Sequence, residues 1–429
     1  MSNQVKYFDT AFHSGFTLGA CNVAGALLTP FDLALYAGFN QVNVSSITRS
    51  GTVATVTTST SHNYLHGQVI LIAGANETDY NGEFVITVTS ATTFTYTVAN
   101  SPATPATGTI TAKVAPLGWS KPYSGTNKAV YQSANTGSSQ HYFRLDDSAA
   151  TLTWDRNTYG QAVTHAGTYA MRCGIFTAMS DVDTGTEVGK TMFLRGVATS
   201  GNRLIIVGDD TTMYYAIYYA GAYTWFGYGG FGDYLPWNGA TGFKPSFAMG
   251  AWGSQSANAP IYTYDNPLAN HGVHSYILTQ GGNYPPNGLA LGMASCMTRG
   301  EASQGSQATP HVHAWRVGGF TGTLGSTGLQ EMGTFSAVQG NTLVTNWFQP
   351  IYIGYLWPLP QIFGEMPGLI DQGVTWTTRM VTSSADPFHI SPIIKYRAPN
   401  GSIRKLLTFH TGGSERRGTV GIDITGPWR

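Results

Sequence analysis

Charge is what this sequence has least of. Only 10% of its 429 residues are Asp, Glu, Lys or Arg, against about 25% in an ordinary soluble chain. Lysine plus arginine number 22, as do aspartate plus glutamate, so the formal net charge is +0 with histidine neutral. That balance gives no long-range field to draw the chain onto nucleic acid, and no polybasic segment for anionic lipid. Cysteine is nearly as sparse. Cys21, Cys173 and Cys296 are too few for a disulfide framework and lack metal-ligand spacing, so each reads as a small buried hydrophobe. Long apolar runs are missing as well. No stretch of about 18 such residues is present to span a bilayer, and the opening Met1-Ser2-Asn3-Gln4-Val5-Lys6-Tyr7-Phe8-Asp9 lacks the apolar centre of a secretion signal. The expectation is a chain made in the cytoplasm, without membrane insertion, that leaves only as part of something larger. A P-loop, a Gly-x-Ser-x-Gly elbow and βα alternation are all absent.

Aromatic residues are what the chain has in quantity. There are 24 tyrosines, 20 phenylalanines and 10 tryptophans, 13% of the chain, together with 53 glycines. With so little charge, its surface must consist of Ser, Thr, Asn, Gln, Gly and backbone. One consequence is a surface largely covered by partners, where Tyr and Trp bury area while keeping a polar handle. The alternative is a robust β-protein with an uncharged polar skin.

Periodicity points to an all-β fold. Residues 40–113 are rich in Thr, Val and Ser and contain no tryptophan. Phe84, Ile86 and Val88 alternate with Val85, Thr87 and Thr89, and Phe94, Tyr96 and Val98 with Thr93, Thr95 and Thr97. Period two is the mark of half-buried strands. Turn signals fall at Ser50-Gly51, His66-Gly67, Ala73-Gly74, Asn81-Gly82 and Thr107-Gly108, with Asn81-Gly82 suited to a tight hairpin. Short strands cannot bury a face alone, so this span is expected to close into a small inserted barrel or sandwich. Pro116-Leu117-Gly118 reads as its exit linker. Residues 1–39 are expected to form an arm and the start of the main body. Within them Thr29-Pro30-Phe31-Asp32 resembles a helix cap followed by proline at the first helical position, stopped at Gly38; the alternative is an irregular arm across a neighbouring surface. Residues 114–429 form the larger β-rich body. Strands are expected at His141–Leu145, Tyr169–Phe176, Arg203–Val207, Met213–Tyr219, Ser275–Leu278, His311–Val317, Ile351–Leu356 and Ile403–Phe409. The Gly/Asn/Pro-rich stretches between them, such as 227–260 and 265–290, read as long loops laced onto neighbouring subunits.

Two resemblances add to this. Ser46-Ile47-Thr48, Val53-Ala54-Thr55-Val56, His66-Gly67-Gln68-Val69-Ile70, Ala73-Gly74-Ala75, Asp79-Tyr80-Asn81-Gly82-Glu83-Phe84 and Thr92-Thr93-Phe94-Thr95-Tyr96 resemble a small β-domain inserted in phage tail and baseplate proteins. The same stretch is similar to the small β-domain in the catalytic half of ubiquitin-activating enzymes, which implies shape and no ubiquitin chemistry. The flanking sequence resembles a family of tailed-phage virion proteins. The similarity lies in the run from Gly118-Trp119-Ser120-Lys121 to Ala129-Val130-Tyr131, in Arg144-Leu145-Asp146-Asp147, in Ala178-Met179-Ser180-Asp181-Val182-Asp183-Thr184-Gly185-Thr186, in Phe231-Gly232-Asp233 and in Gly364-Glu365-Met366-Pro367-Gly368-Leu369. That resemblance implies a structural component of a virion, at the tail, baseplate or neck, packed against copies of itself and other virion proteins. A receptor- or glycan-binding adhesin of the tail and a capsid-surface head protein are the alternatives.

Candidate sites are few. Asp181, Asp183 and Glu187 are spaced like part of a calcium loop but lack the twelve-residue loop and flanking helices; a turn in which aspartates cap backbone amides is the favoured reading. His311 and His313 share one face of a strand, a spacing that holds zinc or iron only with further ligands. Tyr214, Tyr215, Tyr218, Tyr219, Tyr223, Trp225, Phe226 and Tyr228 crowd into fifteen residues. They suit a subunit interface, a core, or a groove stacking on a host glycan. No cofactor and no enzymatic activity are expected, since no convergent set of catalytic groups can be placed.

Overall fold

The structure is a computed structural model. It describes residues 4–21, 23–148, 152–154, 163–165, 170–194, 202–219, 226–236, 246–253, 273–278, 348–355, 361–372, 393–397, 401–411 and 418–428. The fold is mainly antiparallel β-sheet, with a nearly closed seven-strand barrel set among open sheets.

The chain begins with strand β1 (Lys6–Asp9) and reaches a short helix, α1 (Leu28–Asp32), which widens into a π-helical turn over Leu33–Ala37. Gly38, at φ +70°, ends that turn with its N–H donated to Leu33 O at 2.9 Å. The helix is where the sequence places it, but Thr29 does not cap it. Leu27 holds the cap position with no side-chain hydrogen bond, so burial of Pro30, Phe31, Ala34 and Leu35 fixes the element rather than capping.

The barrel comprises β2 (Phe39–Ser50), β3 (Val53–Thr58), β4 (Val69–Ala75), β5 (Gly82–Val85), β6 (Thr87–Val88), β7 (Thr93–Thr97) and β8 (Gly108–Val114), in the order β5-β4-β8-β2-β3-β7-β6. Its first and last strands are consecutive pieces of one run interrupted at Ile86. Hydrogen bonds from Gly67 N to Ile86 O (2.9 Å) and from Ile86 N to Gln68 O (3.1 Å) carry the pairing through that interruption. Curling the sheet this far leaves little free edge. The alternation read from sequence sets the inside. Phe94, Tyr96 and Val98 are buried with Ile47, Val56, Ile70, Ile72 and Ala112, while the intervening threonines face outward. Burying each such side chain contributes roughly 1.5–3 kcal/mol. Tyr64 and Tyr80 satisfy their buried hydroxyls on Ala112 O (2.8 Å) and Ala103 O (3.0 Å).

Two turn expectations fail here. Asn81-Gly82 is not a two-residue hairpin. Asn81 is extended, and its amide bonds Ala75 N (2.9 Å) and Ala75 O (2.7 Å) across the six-residue connection from β4 to β5. Ala73-Gly74 is not a turn but a bulge inside β4, where the register with β8 shifts. Gly74 has φ +92°, and a Cβ there would lie 2.0 Å from Thr109 O. The Pro116-Leu117-Gly118 exit is also no open linker. Leu117 is buried, and its N–H is donated to Ala34 O at 2.8 Å.

Two body sheets pack face to face. One comprises β9 (Trp119–Gly125), β10 (Lys128–Ser133), β11 (Tyr142–Asp146), β14 (Ala170–Met179) and β15 (Gly185–Leu194), with the hairpin β12 (Leu152–Trp154) and β13 (Val163–His165) beside it. The other has β1 at one edge, followed by β16 (Asn202–Gly208), β17 (Thr212–Tyr219), β18 (Phe226–Gly232), β20 (Ser246–Gly253) and β21 (Val273–Leu278). Between them Phe231 meets Trp119 (5.3 Å), Phe143 (4.8 Å) and Phe193 (6.1 Å), and Tyr215 meets Phe193 (4.9 Å) and Phe31 (5.6 Å). The 227–260 stretch, expected as a loop, therefore contains three strands, β18, β20 and the short β19 (Leu235–Pro236) between them. Its glycines read as turn residues but serve close approach: a Cβ on Gly230 would lie 2.5 Å from Met213 O. A further sheet joins β19 (Leu235–Pro236), β22 (Phe348–Tyr355), β23 (Gln361–Gln372), β24 (Ile393–Arg397), β25 (Ile403–Thr411) and β26 (Gly418–Asp423). The expected strand His311–Val317 lies outside the described residues. A single hydrophobic cluster runs without a break from the barrel interior through Phe39, Phe8 and Phe16 into the body.

Candidate assembly site at the arm, barrel and body junction

The arm owes its position to alternation along β1. Lys6 and Phe8 face the barrel side, and Tyr7 and Asp9 the opposite side, as period two requires. Backbone pairing with β16 sets the register, Lys6 opposite Gly208 and Asp9 opposite Ile205. Phe8 meets Phe39 (5.7 Å) and Phe16 (5.8 Å), and Phe16 meets Phe39 at 5.4 Å. The Lys6 ammonium, its side chain only 4% exposed, pairs with Glu83 of the barrel at 2.8 Å and donates to Pro116 O. Burial pulls the Lys6 pKa below its ordinary value, while the Glu83 carboxylate opposes that shift.

On the other face Asp9 is fully buried and accepts Arg203 Nε at 2.9 Å and Nη2 at 2.5 Å. Tyr7 Oη and the Ala11 N–H (2.9 Å) complete its shell. Burial works against the Arg203 charge, but the hydrogen bonds and charge of Asp9 outweigh it and raise the pKa. Burial first, then Asp9, drives the Tyr7 phenol upward. His13 receives the Asp9 N–H on Nδ1 at 3.0 Å, and burial holds its pKa below the ordinary histidine value. The arm is thus keyed to the rest of the chain by one cation, one carboxylate and two aromatic rings.

Behind the junction lies a second buried polar group. Asp209 Oδ1 accepts Thr211 N (2.8 Å), Thr211 Oγ1 (2.9 Å) and Thr212 N (2.8 Å) and so ties the β16–β17 turn. Asp210 takes Asn135 Nδ2 at 3.1 Å, and Asp233 takes Ser139 N at 2.6 Å. His141 Nδ1 lies 2.5 Å from Ser246 Oγ, which approaches Asp233 Oδ1 at 3.5 Å. These are the residue types of a nucleophilic triad, but Ser246 is 0% exposed, and a nucleophile must be reached by its substrate. Their geometry ties strand ends together.

The candidates read from sequence are not brought together. Asp181 Oδ1 accepts the N–H groups of Asp183 (2.7 Å) and Thr184 (2.8 Å), and these bonds lower its pKa. Asp183 pairs with Lys128 at 2.6 Å, and Glu187 with Arg172. Among the described residues no group of three or more His, Cys, Asp and Glu is placed to hold a metal ion, and no helix is long and apolar enough to cross a membrane. His311 and His313 lie outside the described residues, as do Tyr223 and Trp225. Tyr218 and Tyr219 lie on β17, and Phe226 and Tyr228 on β18. Tyr214 and Tyr215 are each 1% exposed. Tyr215 sits in the core between the body sheets, and Tyr214 packs on Phe247 (6.0 Å) and Trp428 (5.7 Å). Both rings are buried by the chain itself, so these two offer no surface to a glycan or a partner. Sequence reading missed Lys6, Asp9, Glu83 and Arg203. The available signal was the rarity of charge: Lys6 and Asp9 flank an aromatic pair in a short strand pattern. No family model matches the chain, and no curated protein or solved structure matches it.

Proposed function

We propose that the chain is a non-enzymatic structural subunit of a multi-copy particle, of the tailed-phage virion type, at the tail, baseplate or neck. One observation carries this reading. A filled barrel is locked onto the body by buried charges and a shared core, in a chain whose surface has little charge to keep it soluble alone. A rigid appendage on a frame with a weakly charged surface suits packing among copies. The particle type rests on the motif resemblance in residues 44–112 and in the flanking sequence. Imaging of an intact particle, with this chain traced into the density, tests the reading. A place on the capsid lattice would remove the tail assignment. A purified chain that stays monomeric by light scattering, and is absent from particles by mass spectrometry, would remove the multi-copy role.

A second reading, an adhesin, is favoured by the outer face of the barrel. Thr48, Thr55, Thr95 and Thr87 lie side by side across four strands. This is an uncharged row of hydroxyls suited to hydrogen bonding with a host glycan. Thr55→Lys with Thr95→Lys should then block host adsorption while assembly proceeds; unchanged adsorption rejects this reading.

A further inference from the structure

We propose that the arm is exchanged between copies: residues 4–16 of one chain seat in the groove of a second chain, in the register they take here within one chain. The inference rests on the multi-copy reading above and names the contact that would link the copies. β1 is a four-residue strand at the edge of its sheet, and among the described strands it pairs with β16 alone, so its release breaks one line of backbone hydrogen bonds. Its seat is lined by three separate parts of the chain. β16 gives the backbone partners, Glu83 of the barrel and Pro116 take Lys6, and Gly426 near the C-terminus receives Val5.

The seat is also selective. Slipping β1 by one residue would turn Lys6 and Phe8 to the wrong face and leave the buried Asp9 without Arg203. A second copy carries the identical segment, so exchange restores every one of these contacts. The net cost is limited to association and any strain in the hinge. The hinge is present. Thr17–Ala20 forms neither helix nor strand, Thr17 and Gly19 are exposed, and a Cβ on Gly19 would meet nothing within 4 Å. Straightening those four residues spans about 13 Å. The turns of residues 10–16 travel with the arm, because His13 N and Phe12 N bond back to Asp9 O. Within a particle the neighbouring seats are held close, which raises the effective concentration of arm and groove.

The test uses two single variants, Tyr7→Cys and Val207→Cys, unfolded together, refolded together and oxidised. These positions face each other across β1 and β16, at the Cα separation of a neighbouring antiparallel pair, which accepts a disulfide. Exchange yields a covalent dimer joining one variant to the other. Its absence, alongside an intramolecular bond in the double variant, overturns the proposal. Should the substitutions disturb folding, the unmodified chain serves. Isotopically labelled and unlabelled copies are refolded together and treated with a zero-length carbodiimide, which joins Lys6 to Glu83 from their salt-bridge distance. Mixed-isotope peptide pairs as frequent as matched ones support exchange; matched pairs alone, or no joined pair, overturn it. Light scattering on the same sample separates the two claims: an oligomer with only matched pairs removes exchange and leaves the multi-copy role, whereas a monomer removes exchange and, if the chain is also absent from particles, the multi-copy role with it.

Discussion

Replacing Arg203 with leucine should release the arm without melting the barrel. Asp9 is fully buried, and Arg203 gives it two of its hydrogen bonds, at 2.9 and 2.5 Å. Removing one partner of a buried pair leaves an uncompensated charge, at a cost of about 3–5 kcal/mol. Tyr7 Oη and Ala11 N still donate to Asp9, so the low end, about 3 kcal/mol, applies. At 1.4 kcal/mol per decade this is roughly a hundredfold loss of hydrogen-exchange protection for local opening of β1. Asp9→Leu strands a guanidinium whose side chain is 14% exposed and can reach water, so it should cost less, about 1–3 kcal/mol. The double variant should fall well short of the sum, because the two residues form one interaction. Arg203→Lys should rescue only in part, since an ammonium cannot make the forked pair of bonds. The assay is native-state exchange of the Phe8, Asp9, Leu204 and Ile206 amides, with Phe94 in the barrel as the internal reference. Unchanged protection of β1 in Arg203→Leu would refute the view that this ion pair holds the arm, as would equal loss in arm and barrel.

Three further outcomes are expected. Phe94→Ala removes a fully buried ring from the barrel centre and should cost about 3–5 kcal/mol, measured as a lowered urea midpoint of barrel unfolding; a change under a third of that would mean the barrel is loosely packed. Gly74→Ala sets a Cβ against Thr109 O at a positive φ, and should destabilise by more than the 1–3 kcal/mol of strained φ alone, read from thermal melts; a neutral result would contradict the bulge. His13 has a depressed folded pKa, so as pH falls below about 6.5 the unfolded chain binds the proton first and stability is lost towards the folded midpoint; melting temperatures from pH 7 to 5 should fall less steeply in His13→Gln, and identical slopes would discard the link.

The sequence carries the strand phases because they are local. Phe94, Tyr96 and Val98 sit inside the barrel, as their alternation with threonine requires, and β11, β14, β16, β17, β21, β22 and β25 fall where apolar runs meet turn residues. The helix before Gly38 was legible for the same reason. Glycine misled, because one residue type serves two purposes. At Gly38 it supplies a positive φ that ends a helix. At Gly230 it supplies the absence of a side chain, and the strand continues. Asn81-Gly82 misled because the asparagine spends its amide on Ala75 rather than on its own turn. The junction was not legible at all: Asp9 and Arg203 are 194 positions apart, and no local pattern encodes which of the few charges meet. The aromatic run at 214–228 suits a core, a subunit interface or a glycan groove in sequence; Tyr214 and Tyr215 point to opposite sides of one strand, and the chain buries both.

The placement of charge bears on why the arm is built as it is. A buried ion pair is a poor source of net stability, because desolvation offsets most of its attraction, and apolar residues of similar volume would hold an arm at least as firmly. Phe8 and Phe16 already provide such adhesion. What Asp9 and Lys6 add is discrimination. A shifted or foreign strand laid on β16 would set Arg203 and Glu83 against the wrong partners, at about 1–3 kcal/mol for each stranded charge. An edge strand is otherwise an open template for any extended segment, and the barrel has nearly closed its own edges. In a chain with 22 basic and 22 acidic residues, setting two ion pairs at β1 makes that edge specific to one sequence, its own.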